Sequence, residues 1–142
     1  MYLCIVDINF NNKPFLLDES KAIALLLKIE KDYNRSLGHF DFHFVTAKEM
    51  LSINQIHLNH DTHTDVITFD YSSELVEGEA FICFDRAKEN SQIYSQSIEN
   101  ELYRLIIHSV LHCLDVTDKT ENDKKNFREL EDTYLSMFHV KP

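Results

Sequence analysis

The sequence predicts an α+β fold, a small mixed four-stranded sheet packed by about five helices, in a single domain spanning residues 1–142. Three observations predict it. The periodic segments follow the order β-α-β-α-β-β-α-α-α, which mixes short strands with longer helices. The length is that of one domain, and 44% apolar content is enough for a real core. No long linker, internal repeat or low-complexity tract divides the chain.

Tyr2 to Phe10 reads as a buried strand rich in β-branched and aromatic residues, closed by a turn at Asn11-Asn12-Lys13-Pro14. Asp18 is placed to cap the helix that follows. Its apolar stripe, Ala22, Ile23, Leu25, Leu26, Leu27 and Ile29, runs to about Arg35, and Gly38 is expected at the exit. Phe40, Phe42 and Phe44 alternate with Asp41, His43 and Val45, the period of a half-buried strand, with His43 on its solvent side. Thr46-Ala47-Lys48-Glu49 has the pattern of a capping box and starts a short helix to about His57.

A polar loop, Asn59 to His63, leads to a strand over Thr64 to Phe69, with Val66 on one face and Ile67 and Phe69 on the other. Asp70 to Glu77 is a polar turn region, and Gly78 to Phe84 is a strand suited to pair with the previous one. Asp85 is expected to cap a short polar helix through about Tyr94. Ser97 is expected to cap a long one carrying Leu102, Leu105, Ile106, Val110 and Leu111. Thr120 to Asp123 begins the last helix, whose inner stripe is Phe127, Leu130, Tyr134 and Met137.

Composition narrows the function. The formal charge of −10 argues against a general polyanion-binding surface, so any nucleic-acid partner needs a local basic patch. No apolar run approaches the roughly 20 residues of a membrane span, and Met1 to Phe10 lacks a leader's basic flank, so a cytoplasmic location is expected, with no membrane partner. Cys4, Cys83 and Cys113 form no metal or disulfide framework and read as small buried hydrophobes.

The chemistry concentrates in His108-Ser109-Val110-Leu111-His112-Cys113-Leu114-Asp115-Val116-Thr117-Asp118. Histidines four apart on a helix stack on one face, at a spacing suited to two ligands of one metal. If the helix ends at Leu114, the carboxylate of Asp118 can fold back towards them. Two imidazoles and one carboxylate leave positions for water and substrate, the open arrangement of catalytic sites. With eight histidines in the chain, one such pair also arises by chance, and two half-buried histidines on an amphipathic helix remain the alternative. His57, His60 and His63 would drift apart on a helix, and Asp61-Thr62 favours a loop there.

His108 to Asp118 resembles the HGxLHLxGYDH signature of the YbeY family, metal-dependent endoribonucleases associated with ribosomal RNA maturation. Ile53 to Phe69 resembles that family's LNxxYRxxDxPTDVLSF block and Gly78 to Ile82 its GDIxI strand, in the right order, and the last helix with Glu131 also fits. The likeness covers roughly residues 35–136.

The resemblance implies one divalent metal, zinc by expectation, held by His108, His112 and Asp118, with Asp118 standing where most of the family has a third histidine. That exchange lowers the charge of the site by one and should make a bound water less acidic. Ser109 and Asp115 replace the two motif glycines, Asp115 at a helix exit where a left-handed residue is expected. Leu58 occupies the position of the family's arginine, the natural cation for a substrate phosphate; Lys119, beside the implied third ligand, and Arg104 are the cations that could compensate electrostatically, neither from the same position.

The implied reaction is phosphodiester hydrolysis, with the metal polarising a phosphoryl oxygen and supplying the hydroxide, and with ribosomal RNA or the ribosome, not DNA, as partner. Thr64, Asp65, Glu101 and Lys119 are the candidates for shaping the site or contacting substrate. The alternative is a non-catalytic protein that binds ribosomal RNA or the ribosome through a degenerate site. A metallopeptidase is disfavoured because Ser109 stands where HExxH carries its glutamate. A non-haem iron oxygenase fits the ligand set, but no cosubstrate site is visible.

Overall fold

Alternation of apolar residues in four short segments builds the sheet seen in the computed structural model, which describes residues 6–58 and 64–142, the side chains of 57 and 58 excepted. The strands are β1 (Asp7–Asn11), β2 (Leu37–Val45), β3 (Val66–Asp70) and β4 (Val76–Cys83), in the order β1-β2-β4-β3. β1 and β4 both run parallel to β2, and β3 is antiparallel to β4. The helices are α1 (Glu19–Tyr33), α2 (Ala47–Ile53), α3 (Phe84–Ile93), α4 (Ile98–Cys113) and α5 (Glu121–Met137). α2 widens into one π-helical turn, Asn54–Leu58. The element order and the mixed four-stranded sheet agree with the expected fold.

Successive side chains on a strand point to opposite faces, and the two faces of this sheet differ. Phe40, Phe42, Phe44, Val76, Ala80 and Ile82 face α1 and α4 and form the main core with Leu25, Leu26, Ile29, Leu102, Ile106 and Val110. The other face splits. Under α2, Met50, Ile67 and Cys83 form a second cluster with Phe69 and Phe81 against it. Towards β1 that face is polar: His39 bridges Asp7 (2.8 Å) and Asp41 (2.7 Å), and His43 bonds Glu79 (2.8 Å). Val66 joins the main core and Ile67 the second, the two-sided burial that the strand pattern predicted.

α4 is the central element. Twelve of its sixteen residues are buried, because the sheet covers one side while α3 and α5 cover others. A helix buried on most of its circumference can carry polar groups only if they find partners. Arg104 on α4 does so with Glu131 and Asp132 on α5 and with Asn100 on its own helix, and Glu101 lies within ion-pair distance of it.

Capping follows the sequence closely. Asp18, Ser97, Thr46 and Thr120 all cap their helices, the last two as full capping boxes. Asp85 does not cap α3; Cys83 is its N-cap without a side-chain bond, and Asp85 Oδ2 accepts from Ala47 N (3.3 Å) at the start of α2. Gly38 lies inside β2, and the exit of α1 is taken by Asn34. Met137 is exposed, and the inner stripe of α5 continues through Glu131 and Leu135.

Four helices close on a left-handed residue, Asn34 (φ 50°), Ser95 (52°), Asp115 (64°) and His139 (57°), none of them glycine. After α4 the N–H of Asp115 donates to His112 O and that of Val116 to Leu111 O, both at 3.1 Å, the paired bonds of a Schellman closure. Gly78 in β4 has no room for a side chain: a Cβ there would lie 2.8 Å from Phe69 O and 3.1 Å from Cys113 Sγ. That close approach seats the end of α4 against the sheet. No helix among the described residues is long and apolar enough to cross a membrane.

Candidate metal centre

Because α4 ends at Cys113 and α5 begins at Glu121, the connecting loop returns Asp118 to the side of α4 that carries His108. The two residues line one cleft of about 350 Å³ together with Asp65, Glu101, Arg104, Lys124, Arg128 and Glu131. His108 is the best-defined group in it. Its Nδ1 bonds Glu131 Oε2 at 2.8 Å, and its ring lies 4.4 Å from that of Phe127. A carboxylate on one imidazole nitrogen fixes the ring and leaves Nε2 as the nitrogen available to a ligand, which is how metal-binding histidines are usually held. Burial would lower the His108 pKa, but the bond to Glu131 and the nearby charges of Glu131, Asp65 and Asp118 outweigh it, so the net shift is upward.

Glu131 is itself 4% exposed and shared. Its Oε1 accepts from Arg104 Nη1 at 3.2 Å, and Arg104 Nη2 continues to Asp132 (2.6 Å) and Asn100 (3.3 Å). Glu101, 3% exposed, lies 3.7 Å from Arg104 Nε, a distance that gives attraction without a hydrogen bond. Its Oε1 and the Arg104 Nε both lack hydrogen-bond partners. Desolvation, the largest influence on Glu101, raises its pKa against the pull of Arg104 and Arg128. A buried carboxylate with an unused oxygen at the cleft wall is a ready acceptor for something bound there.

His112 sits one turn beyond His108 and is exposed, as is Asp118. Among the described residues the donor atoms of these three do not gather within 4.8 Å of one another; Asp41, His43 and Glu79 are the set that does. That triad could hold a metal ion, but it lies on the polar face of the sheet, opposite the face packed by α4. In the metal-free arrangement His43 Nε2 is bonded to Glu79 and Nδ1 to Asn11 Nδ2 (3.2 Å).

The remaining sequence candidates separate. Asp65 lines the cleft and is held by Asn90 Nδ2 on its Oδ2 at 3.0 Å. Glu101 lines it too, buried where the sequence pattern could not distinguish it from a solvated helix charge. Thr64 is not at the cleft; its hydroxyl accepts from Asn54 Nδ2 (3.1 Å) and ties the entry of β3 to the turn after α2. Lys119 is exposed and is not part of the lining. His60, Asp61 and His63 lie outside the described residues, as do the side chains of His57 and Leu58. Ser109 is fully buried, and its hydroxyl donates to Leu105 O at 2.9 Å, so the larger group fits in place of the motif glycine.

A sequence model of the family described as endoribonuclease YbeY matches residues 9–139. The chain belongs to the endoribonuclease YbeY family. The match extends the local resemblance to nearly the whole chain. An endoribonuclease YbeY of Flavobacterium psychrophilum is 36% identical over 138 residues, covering 96% of this chain and 99% of that one. That of Azobacteroides pseudotrichonymphae is 44% identical over 105 residues, 73% of this chain and 76% of the relative. The solution structure of TM1509 from Thermotoga maritima has the same fold, with a TM-score of 0.64 at 22% identity over 95% of this chain and 92% of that one. Membership in the YbeY family places the chain among enzymes of the nuclease class, which are hydrolases.

Proposed function

We propose that this chain is a metal-dependent endoribonuclease of ribosomal RNA maturation, working in the cytoplasm on single-stranded segments. One divalent metal, zinc by the family resemblance, would be held by His108, His112 and Asp118. The observation that carries this reading is His108: its Nδ1 is tied to a buried glutamate at 2.8 Å, and it lines the same cleft as Asp118. A bound dication supplies a polarised phosphoryl oxygen and a water acidic enough to attack phosphorus. The chain's own residues do the rest. Glu131 holds the His108 ring in one orientation, and Arg104 holds Glu131. Asp65 and the free oxygen of Glu101 offer acceptors on the cleft wall that can orient water. Four carboxylates against three cations line the cleft. A bound dication would reverse that local sign and strengthen the hold on a phosphodiester.

The test is elemental analysis of the purified protein and of His112→Ala, Asp118→Ala and His43→Ala, followed by cleavage of a structured RNA with unpaired segments. One metal per chain, lost in the first two variants and kept in the third, together with cleavage that falls in parallel, supports the assignment. Metal kept in His112→Ala and lost in His43→Ala would move the centre to the sheet face. A protein that takes up no metal would leave the non-catalytic ribosome-binding reading in its place.

A further inference from the structure

The cleft beside His108 has a second half that the metal reading leaves unused, and its cations are not equivalent. Arg104 is 5% exposed and both its terminal nitrogens are committed to Glu131, Asp132 and Asn100, which leaves only its buried Nε unused. Lys124 and Arg128, one turn apart on α5, share a face and both line the cleft. Arg128 forms no ion pair with a described residue. Lys124 has only a loose 3.7 Å pair with Glu121, on its own helix and largely in solvent. Such a pair contributes little and is easily exchanged for a phosphate.

Arg128 is placed by a ring instead of a carboxylate. Its Cζ lies 4.9 Å from the centroid of Tyr94, at the end of α3, and Tyr94 is 53% exposed on the cleft lining. A guanidinium over an aromatic ring makes a flat two-layer platform whose edge donors remain free for phosphate oxygens. Unpaired nucleotides are bound in general by this combination, a stacking surface beside cations that follow the backbone. The protein carries a formal charge of −10, so whatever affinity it has for a polyanion must be concentrated at a spot of this kind.

We infer that Lys124, Arg128 and Tyr94 form a subsite for one unpaired nucleotide next to the scissile bond. In it Lys124 and Arg128 take a backbone phosphate and the Tyr94–Arg128 platform stacks the base. The inference rests on the nuclease reading for its ligand. It assigns the phosphate-binding role to two residues of α5, away from position 58 where the resemblance would put it.

The experiment measures binding of a fluorescein-labelled single-stranded RNA decamer by anisotropy across a salt series, with cleavage of the same RNA followed separately. Binding is measured in His112→Ala, so that RNA is not consumed, and in that background with Lys124→Ala, Arg128→Ala, both together, Arg128→Lys and Tyr94→Ala. Lys124→Ala with Arg128→Ala is expected to weaken binding at least about 10-fold and to flatten the log–log salt slope by about 0.7, one single-strand phosphate contact. Tyr94→Ala should weaken binding about 5-fold or more without changing the slope, because stacking is uncharged. Arg128→Lys should restore the slope and not the full affinity. A double variant with unchanged affinity and slope, while the wild type still cleaves RNA, would overturn the subsite and leave the nuclease reading standing. Failure of the wild type both to bind and to cleave would overturn both.

Discussion

Replacing Glu131 probes the network behind His108 more directly than replacing the histidine itself. Glu131→Ala removes the 3.2 Å bond to Arg104 and the 2.8 Å bond to His108 from a side chain that is 4% exposed. Breaking one side of a buried ion pair costs about 3–5 kcal/mol when the other charge is left without partners. Arg104 keeps Asp132 at 2.6 Å, but that carboxylate is 58% exposed and partly screened by water, which brings the expected loss to about 2–4 kcal/mol. For a chain of this length that is a melting point lower by roughly 5–12 °C. Glu131→Gln keeps the shape and one acceptor for Arg104, so about half that loss is expected. Urea denaturation monitored by circular dichroism reads the stability. Metal titration of folded Glu131→Gln reads the second consequence, an affinity about 10- to 100-fold weaker if the residue orients a ligand. A Glu131→Gln protein with wild-type stability and metal affinity would refute both the energetic argument and the role of His108.

Three other perturbations test the fold around the site. Gly78→Ala forces a Cβ to within 2.8 Å of the Phe69 carbonyl, and a loss of about 1–3 kcal/mol in urea denaturation is expected because the obstacle is backbone. Tyr134→Phe removes the 2.8 Å bond from the hydroxyl to Asp32 that ties α5 to α1, and a decrease of about 1 kcal/mol should show as a lower melting point. The bonds to Asp41 and then Asp7 raise the pKa of His39 against its slight burial, and the bond from His39, then Asn9, lowers that of Asp7. A raised histidine stabilises below its unfolded pKa and loses that contribution as pH rises through the folded value. The lowered Asp7 carboxyl stabilises above its unfolded pKa and loses that contribution as pH falls through its folded value. The deficit of His39→Gln in urea midpoint should therefore be largest between about pH 4 and 6.5 and disappear at alkaline pH.

Local rules carried most of the fold. Thr46-Ala47-Lys48-Glu49 became a capping box because both of its bonds lie within four residues. The alternation of Phe40, Phe42 and Phe44 likewise needed nothing beyond strand geometry. Asp85 departs from the expected cap for a complementary reason: it stands beside the start of one helix, yet the backbone it serves, Ala47, comes from 38 positions earlier. The candidate site was legible as spacing and as a family resemblance. His108, His112 and Asp118 could be named from their positions, and the turn that returns Asp118 was foreseeable from a left-handed residue at Asp115. The partners that make His108 distinctive were not, because Glu131 and Arg104 meet across two helices and their patterns look like ordinary solvated charges. Burial converts those charges into a network, and burial depends on the whole tertiary arrangement. For the same reason proximity in sequence points to Lys119, while Lys124 and Arg128, a helical turn or more further on, line the cleft.

The helix closures carry a separate consequence, for evolvability. Two glycines serve the whole chain, and neither sits at a left-handed position, so Ser95 and His139 hold a conformation costing a side chain about 1–2 kcal/mol relative to glycine. Asn34 and Asp115 tolerate it better, through short polar side chains that bond locally. Glycine also loses more entropy on folding, which leaves a net gain of about 0.5–1 kcal/mol at each of the two worse positions. Both lie at helix ends on the surface. This chain thus retains an unused margin, reachable by single replacements that leave its chemistry alone, against which costlier changes in the cleft could accumulate without unfolding the protein.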